Sequence, residues 1–233
     1  MLQLLHSQWT YKMNFTSPTT ILISGQSGTG KSTFVRRLLE HQLFDVKPTK
    51  IIYCYGAWND TFDTYKDVTF VEGLPDSFDT YFDGSHIVIV LDDLQSAVAN
   101  SPLVESLWTK LSHHRNATCI YINQNLFYGG KNARCISVNS HYTVLFPNAR
   151  AATQIRTLAT QTGLKHLPQA FEDVINTSKF PYLVVNLAPG SDRQYALSTR
   201  IFPGEDPVIY QWYIIEIQVS ATHSDQMLLP KHV

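Results

Sequence analysis

Short, almost wholly apolar runs alternate along this chain with stretches whose apolar residues fall on one face of a helix. The first kind occurs at residues 19–24, 51–55, 68–71, 86–93, 117–123 and 141–146. The run from Ile87 to Leu91 is apolar at both parities, as a strand buried on both faces of a parallel sheet must be. The second kind occurs at 31–42, where Phe34 and Leu38, and Val35 and Leu39, stand four apart, and at 101–113, where Leu103, Leu107 and Leu111 do the same. Pro102 suits the first position of that helix, and Gly163 closes a third helix at 151–162. This alternation predicts an α/β fold with a mostly parallel central sheet flanked by helices. The final third reads as extra C-terminal strands at 182–187, 195–201 and 208–219. In the last, Ile215, Ile217 and Val219 alternate with Glu216 and Gln218, as at a half-exposed edge. No internal repeat or low-complexity linker interrupts the chain. One domain is expected over 1–220, with its core at 15–165, a β-rich extension at 166–220 and a disordered or partner-bound tail at 221–233.

Composition adds limits. At 233 residues and 44% apolar, the chain suits one α/β domain with an ample core. With 18 basic against 19 acidic residues the net charge is −1, so any contact with nucleic acid must come from a local patch or from a pore formed on assembly. Cys54, Cys119 and Cys135 are odd in number and show no C-x-x-C spacing, which argues against a disulfide framework or zinc site and for a reducing compartment. No apolar stretch approaches the roughly 18–20 residues of a membrane span, and residues 1–10 lack a signal peptide's basic start and apolar core. The expectation is a soluble protein inside a cell or a virion.

The candidate chemistry begins after the first strand, at Gly25-Gln26-Ser27-Gly28-Thr29-Gly30-Lys31-Ser32-Thr33. This fits the phosphate-binding pattern G-x-x-x-x-G-K-[ST] in its strand–loop–helix setting, the Walker A motif. Backbone N–H groups of such a loop surround an anion, and the helix that follows adds the positive end of its dipole. Lys31 would reach the β- and γ-phosphates of ATP, and the Ser32 hydroxyl would sit on Mg²⁺. A second element, Asp92-Asp93, ends the most apolar strand. Asp92 would hold the Mg²⁺ shell and Asp93 would polarise an attacking water, although an ordinary helix N-cap also places acids there. A third strand ends in Asn123-Gln124-Asn125, where Gln124 is placed to orient the water or sense the γ-phosphate, with Asn123 and Asn125 as alternatives. Loop, acid pair and amide in this order describe a P-loop NTPase of the additional-strand (ASCE, RecA-like) type, whose sensor strand lies between the first strand and the acidic one. A small-molecule kinase and a nucleotide-dependent assembly module without catalysis share the loop. The kinase is the weaker reading, because only Lys131, Arg134 and Arg150 supply cations between Gln124 and the helix at 151, too few for an arginine-rich lid.

Further blocks carry a resemblance. They are Ile51-Ile52-Tyr53-Cys54-Tyr55-Gly56-Ala57-Trp58, Phe70-Val71-Glu72-Gly73-Leu74-Pro75, His113-His114-Arg115-Asn116, Asn123-Gln124-Asn125-Leu126-Phe127, Gly130-Lys131-Asn132-Ala133-Arg134, Asn139-Ser140-His141-Tyr142 and Phe146-Pro147-Asn148-Ala149-Arg150. Over about residues 15–165 the chain resembles genome-packaging ATPases of the FtsK–HerA superfamily, in the branch of nucleocytoplasmic large DNA viruses, adintoviruses and polinton/Maverick elements. It departs from that pattern at Ala149-Arg150-Ala151-Ala152, where members often carry an acid after the arginine. The resemblance implies a ring, pentameric or hexameric, that uses ATP hydrolysis to push double-stranded DNA into a preformed capsid. Its partners would be the DNA, held by sequence-independent phosphate contacts, and a capsid or portal vertex, in host cytoplasm or nucleus or in the virion. It also implies an arginine inserted from a neighbouring subunit, since a cation at the γ-phosphate stabilises the charge that develops in transfer. Arg134, between the sensor strand and the next strand, is the first candidate; Arg115 and Arg150 are its rivals.

Overall fold

The computed structural model describes residues 2–5, 13–127 and 130–212. The strands are β1 (Leu2–Leu5), β2 (Thr20–Ser24), β3 (Lys50–Tyr55), β4 (Val68–Glu72), β5 (Ile87–Asp92), β6 (Ala117–Asn123), β7 (Tyr142–Leu145), β8 (Leu183–Asn186), β9 (Leu197–Thr199) and β10 (Val208–Trp212). The helices are α1 (Lys31–Glu40), α2 (Gln95–Ala99), α3 (Pro102–Ser106), α4 (Ser112–His114), α5 (Lys131–Asn139), α6 (Ala152–Thr162) and α7 (Leu167–Thr177). A π-helical turn, Leu107–Leu111, joins α3 to α4, and a 3-10 turn, Asp60–Thr64, follows β3.

All the strands lie in one ten-stranded sheet in the order β1-β10-β9-β8-β7-β2-β6-β5-β3-β4. The block from β7 to β4 is parallel throughout, and the strands from β8 outward join it antiparallel. The sensor strand β6 does lie between β2 and the acidic strand β5, as expected of the additional-strand type. Parity explains the burial. Ile87, Ile89 and Leu91 belong to one core with α6 and α7, while Val88 and Val90 face the other with Phe34, Val35 and Leu38 of α1. Every parallel strand therefore ends at the same edge. The connection that leaves β2 runs one way along the sheet to β3, and the one that leaves β6 runs the other way past β2 to β7, which opens a crevice at the switch point of the strand order.

The structure corrects the sequence reading in several places. The polar segment after Gly130 is the helix α5, and the extension from residue 166 opens with the helix α7 before its strands begin. The helix expected at 101–113 is present, started by Pro102 and capped by Ser101 accepting from Val104 N, but its middle widens into the π turn. β1 pairs with β10 and was not anticipated. The alternation at Ile215, Ile217 and Val219 and the tail at 221–233 lie outside the described residues. Among the described residues no helix is long and apolar enough to cross a membrane.

Candidate functional site

The crevice is built on the loop that joins β2 to α1. Its first residue is pinned between neighbouring strand ends, for Gly25 N donates to Asn123 O (3.3 Å) and Gln26 N to Pro147 O (3.1 Å). A Cβ on Gly25 would stand 2.3 Å from Cβ of Phe146, so only glycine lets β2 pass this close to the end of β7. At the far end Gly30 has φ +100°, a left-handed conformation that turns the chain into α1 without strain. The ammonium of Lys31 donates to the carbonyls of Gly25 (2.8 Å) and Gln26 (2.9 Å), spanning the loop. Burial lowers the pKa of Lys31, opposed by the nearby charges of Asp92 and Asp93.

The two acids part company at the end of β5. Oδ2 of Asp92 accepts from Ser32 Oγ (3.2 Å) and from the phenol of Tyr53 (2.7 Å). Tyr53 is wholly buried, and the Tyr65 ring packs edge to face against it at 5.7 Å. Burial drives the Tyr53 phenol far above its ordinary pKa and that of Tyr65 up to about 12, so both remain donors at neutral pH. The Asp92 carboxyl is also raised by burial, and the bonds from Tyr53 and Ser32 pull it partly back. Ser32 and Asp92 thus present hard oxygen donors side by side, a set that fits Mg²⁺ sharing its shell with phosphate oxygens. No group of three or more His, Cys, Asp or Glu side chains suited to a metal occurs among the described residues. Asp93 is exposed, with φ +54°, a costly conformation for a residue with a Cβ. Neither acid caps the next helix, since the N-cap of α2 is Leu94 and no side-chain cap bond is made there, which removes the N-cap reading of the pair.

The amide cluster sorts itself by bonding. Asn123 is consumed by its own turn, its Oδ1 accepting from Gln124 N (2.7 Å) and its Nδ2 donating to Asn125 O (2.9 Å). Gln124 is exposed, its side chain makes no hydrogen bond to a described residue, and it opens into the same space as the loop and the acids. That space is a cavity of about 500 Å³ lined by Ser27, Gly28, Gly30 to Thr33, Asp92, Asp93, Gln95 and Ile122 to Gln124, with Ala57, Trp58, Asn59 and Phe62 as the opposite wall. Chemically it offers an anion cradle, a cation-binding oxygen pair, an exposed carboxylate and an amide.

None of the three arginines lines this cavity. Arg134 is exposed in the first turn of α5 and makes no ion pair with a described residue, while its neighbour Lys131 pairs with Glu105 (3.2 Å). Arg115 lies where β6 begins, at the opposite edge of the sheet, 3.8 Å from Asp79 and 5.8 Å from the Phe82 ring centroid. Arg150 is on the crevice edge, next to Asn148, whose Nδ2 reaches Gln124 O (3.2 Å). Sequence reading missed Tyr53 and Tyr65, which are indistinguishable there from core rings. It noticed Trp58 without placing it; the indole stands on the cavity wall.

No protein-family model matches this chain, and no curated protein matches it. Among solved structures, B204, the DNA-packaging ATPase from Sulfolobus turreted icosahedral virus, is similar at 12% identity and a TM-score of 0.50, over 73% of this chain and 93% of that one. The genome-packaging NTPase B204 from Sulfolobus turreted icosahedral virus 2, in complex with ATPγS, aligns at 13% identity and a TM-score of 0.48, over 73% and 93%. The flagellar accessory protein FlaH from Methanocaldococcus jannaschii aligns at 10% identity and a TM-score of 0.43, over 84% and 91%. At such identities the likeness is one of fold, and the fold is the α/β P-loop NTPase fold of the additional-strand type.

Proposed function

We propose that this chain is an ATP-hydrolysing motor that assembles into a ring and drives double-stranded DNA into a viral capsid. The observation that carries the hydrolytic half is the meeting of Ser32 and Asp92 at 3.2 Å, with exposed Asp93 and Gln124 on the same cavity. In this reading the backbone of residues 25–33 cradles the phosphates, and Lys31 turns from the loop carbonyls to the β- and γ-phosphates. Mg²⁺ held by Ser32 and Asp92 would neutralise charge on the same phosphate oxygens. Asp93 takes the proton of the attacking water, and Gln124 orients that water against the γ-phosphate. Arg134 of a neighbouring subunit is the first candidate to complete the site, with Arg150 and Arg115 as rivals. Its exposure, with no ion pair among the described residues, leaves Arg134 available to a neighbour.

The translocation half is supported by the sequence blocks and by the fold shared with a DNA-packaging ATPase. A chain of net charge −1 has no general attraction for DNA, so the contacts belong to a basic lining formed when subunits close a ring around the duplex. The test is steady-state ATPase activity across protein concentration, with and without double-stranded DNA, on wild type beside Asp93→Asn. DNA-stimulated turnover that rises faster than linearly with protein, and is lost in a variant that still binds ATP, is the expected result. Phosphate transfer to a small acceptor with no response to DNA would replace the motor by a kinase. Normal turnover in Asp93→Asn would remove the role given to that carboxylate.

A further inference from the structure

The wall facing the phosphate loop contains a side chain that folding alone does not account for. Trp58 is 51% exposed, although three rings hold it in place. Tyr55 meets it at 5.4 Å and 76°, Phe62 at 5.4 Å and 86°, and Phe70 at 5.6 Å and 66°, all edge to face. Phe62 and Phe70 are themselves stacked at 4.9 Å and 21°, and Phe62 is only 4% exposed. A large indole immobilised by one buried and two half-buried rings yet open on one side is a preformed flat surface, at little further cost in side-chain entropy. It opens into the cavity that holds Gly28 and Lys31 to Thr33, so whatever lies on the loop extends within reach of the same space. Of the aromatic residues on that cavity, Phe62 is almost fully covered, which leaves Trp58 as the available ring.

We propose that Trp58 is the stacking platform for the nucleobase of the bound nucleotide. This rests on the reading of residues 25–33 as the phosphate cradle. A nucleotide whose β- and γ-phosphates lie at Lys31 carries its sugar and base away from the loop, and the cavity gives them one aromatic wall to lie against. The edge-on packing of Tyr55, Phe62 and Phe70 fixes the indole plane before the ligand arrives. Stacking is tolerant of base identity because every base has a π-face. Trp58 therefore contributes affinity for a nucleoside triphosphate over bare polyphosphate rather than a choice among bases.

The experiment measures calorimetric binding of Mg·ATP and of Mg·tripolyphosphate, which lacks a base, to wild type, Trp58→Ala, Trp58→Phe and Lys31→Ala. Trp58→Ala is expected to weaken ATP binding roughly 5- to 150-fold, the range that base–aromatic stacking supplies, and to leave tripolyphosphate binding within about twofold. Trp58→Phe should recover much of the loss. The chain has four tryptophans, so wild-type fluorescence minus that of Trp58→Phe isolates this indole, which ATP should quench and tripolyphosphate should not. Retained tripolyphosphate binding shows that the variants are folded. An equal loss for both ligands, no loss for either, or a change in self-association without a base-dependent change in affinity overturns the proposal. Full ATP binding by Lys31→Ala would instead overturn the phosphate-cradle reading itself, whatever Trp58 does.

Discussion

Replacing Tyr53 by Phe removes one oxygen atom from a fully buried ring and leaves the ring's shape in place. The lost hydroxyl donates 2.7 Å to Oδ2 of Asp92, and while that carboxyl is ionised a hydrogen bond to it contributes about 1.5–3 kcal/mol. For a domain of this size each kcal/mol moves Tm by about 2–4 °C, so above the folded-state pKa of Asp92 Tyr53→Phe should melt about 3–12 °C lower than wild type. The deficit carries a pH signature. The Tyr53 bond favours the charged form of Asp92, so its contribution is complete above the folded-state pKa of that carboxyl and fades as pH falls through it. Burial holds that pKa above the ordinary carboxylate value, so the fading should begin at a higher pH than it would for an exposed aspartate. In an Asp92→Asn background the same substitution should cost only the roughly 0.5–1.5 kcal/mol of a neutral hydrogen bond, so a double-mutant cycle should return about 1 kcal/mol of coupling. Melting curves of the four proteins across pH make the measurement. A wild-type Tm for Tyr53→Phe, a deficit that does not change with pH, or zero coupling would refute the argument.

Other outcomes follow from the same geometry. Asp92→Asn should raise the Tm of the nucleotide-free protein at neutral pH. A carboxyl whose folded pKa is raised costs stability as pH rises through the window between its unfolded and folded values, so the gain should shrink as the pH is lowered through that window, while Mg²⁺-dependent nucleotide binding is lost. Gly25→Ala places a Cβ 2.3 Å from Phe146 Cβ and should cost about 1–3 kcal/mol of stability together with nucleotide affinity, read by thermal melting with and without Mg·ATP. Under native conditions a thiol reagent should modify Cys135 alone, because Cys54 and Cys119 are fully buried and their pKa values are pushed up to about 12; all three should react in denaturant, as mass spectrometry will count.

The residues that the sequence made legible are those whose role is fixed by neighbours along the chain. The loop at 25–33, the doubly apolar β5 and the end of β6 needed only spacing and parity, and the structure gathers all of them on one cavity. α5 was hidden because its anchor is polar. Asn132 is buried, with Nδ2 donating to Val98 O (2.8 Å) and Ser101 O (2.7 Å), while Val138 is 67% exposed, so the helix has no apolar stripe to read. α7 did carry one, with Leu167, Ala170, Phe171 and Val174 at helical spacing, but Pro168 in its first turn and the strand-like segments after it drew the region toward a β reading. Tyr53 illustrates a different limit. Its position inside β3 marks it as core, and only the parallel register that sets Tyr55 against Asp92 turns its hydroxyl toward that carboxylate.

The antiparallel pairing of Leu2–Leu5 with Ile209–Trp212 has a consequence for how the chain is made. β1 leaves the ribosome before β10 and waits for it, and at the usual pace of synthesis that wait is roughly 10–40 s. Throughout it, the parallel block between β2 and β7 can already be complete, since each of its pairings is settled by residue 145. The outer border of the sheet is thus its latest part to close, at the entropic expense of the longest loop in the molecule. Until β10 emerges, β1 offers a nascent chain's neighbours an unpaired strand, and synthesis on crowded polysomes is where this protein is most exposed to joining the wrong copy of itself.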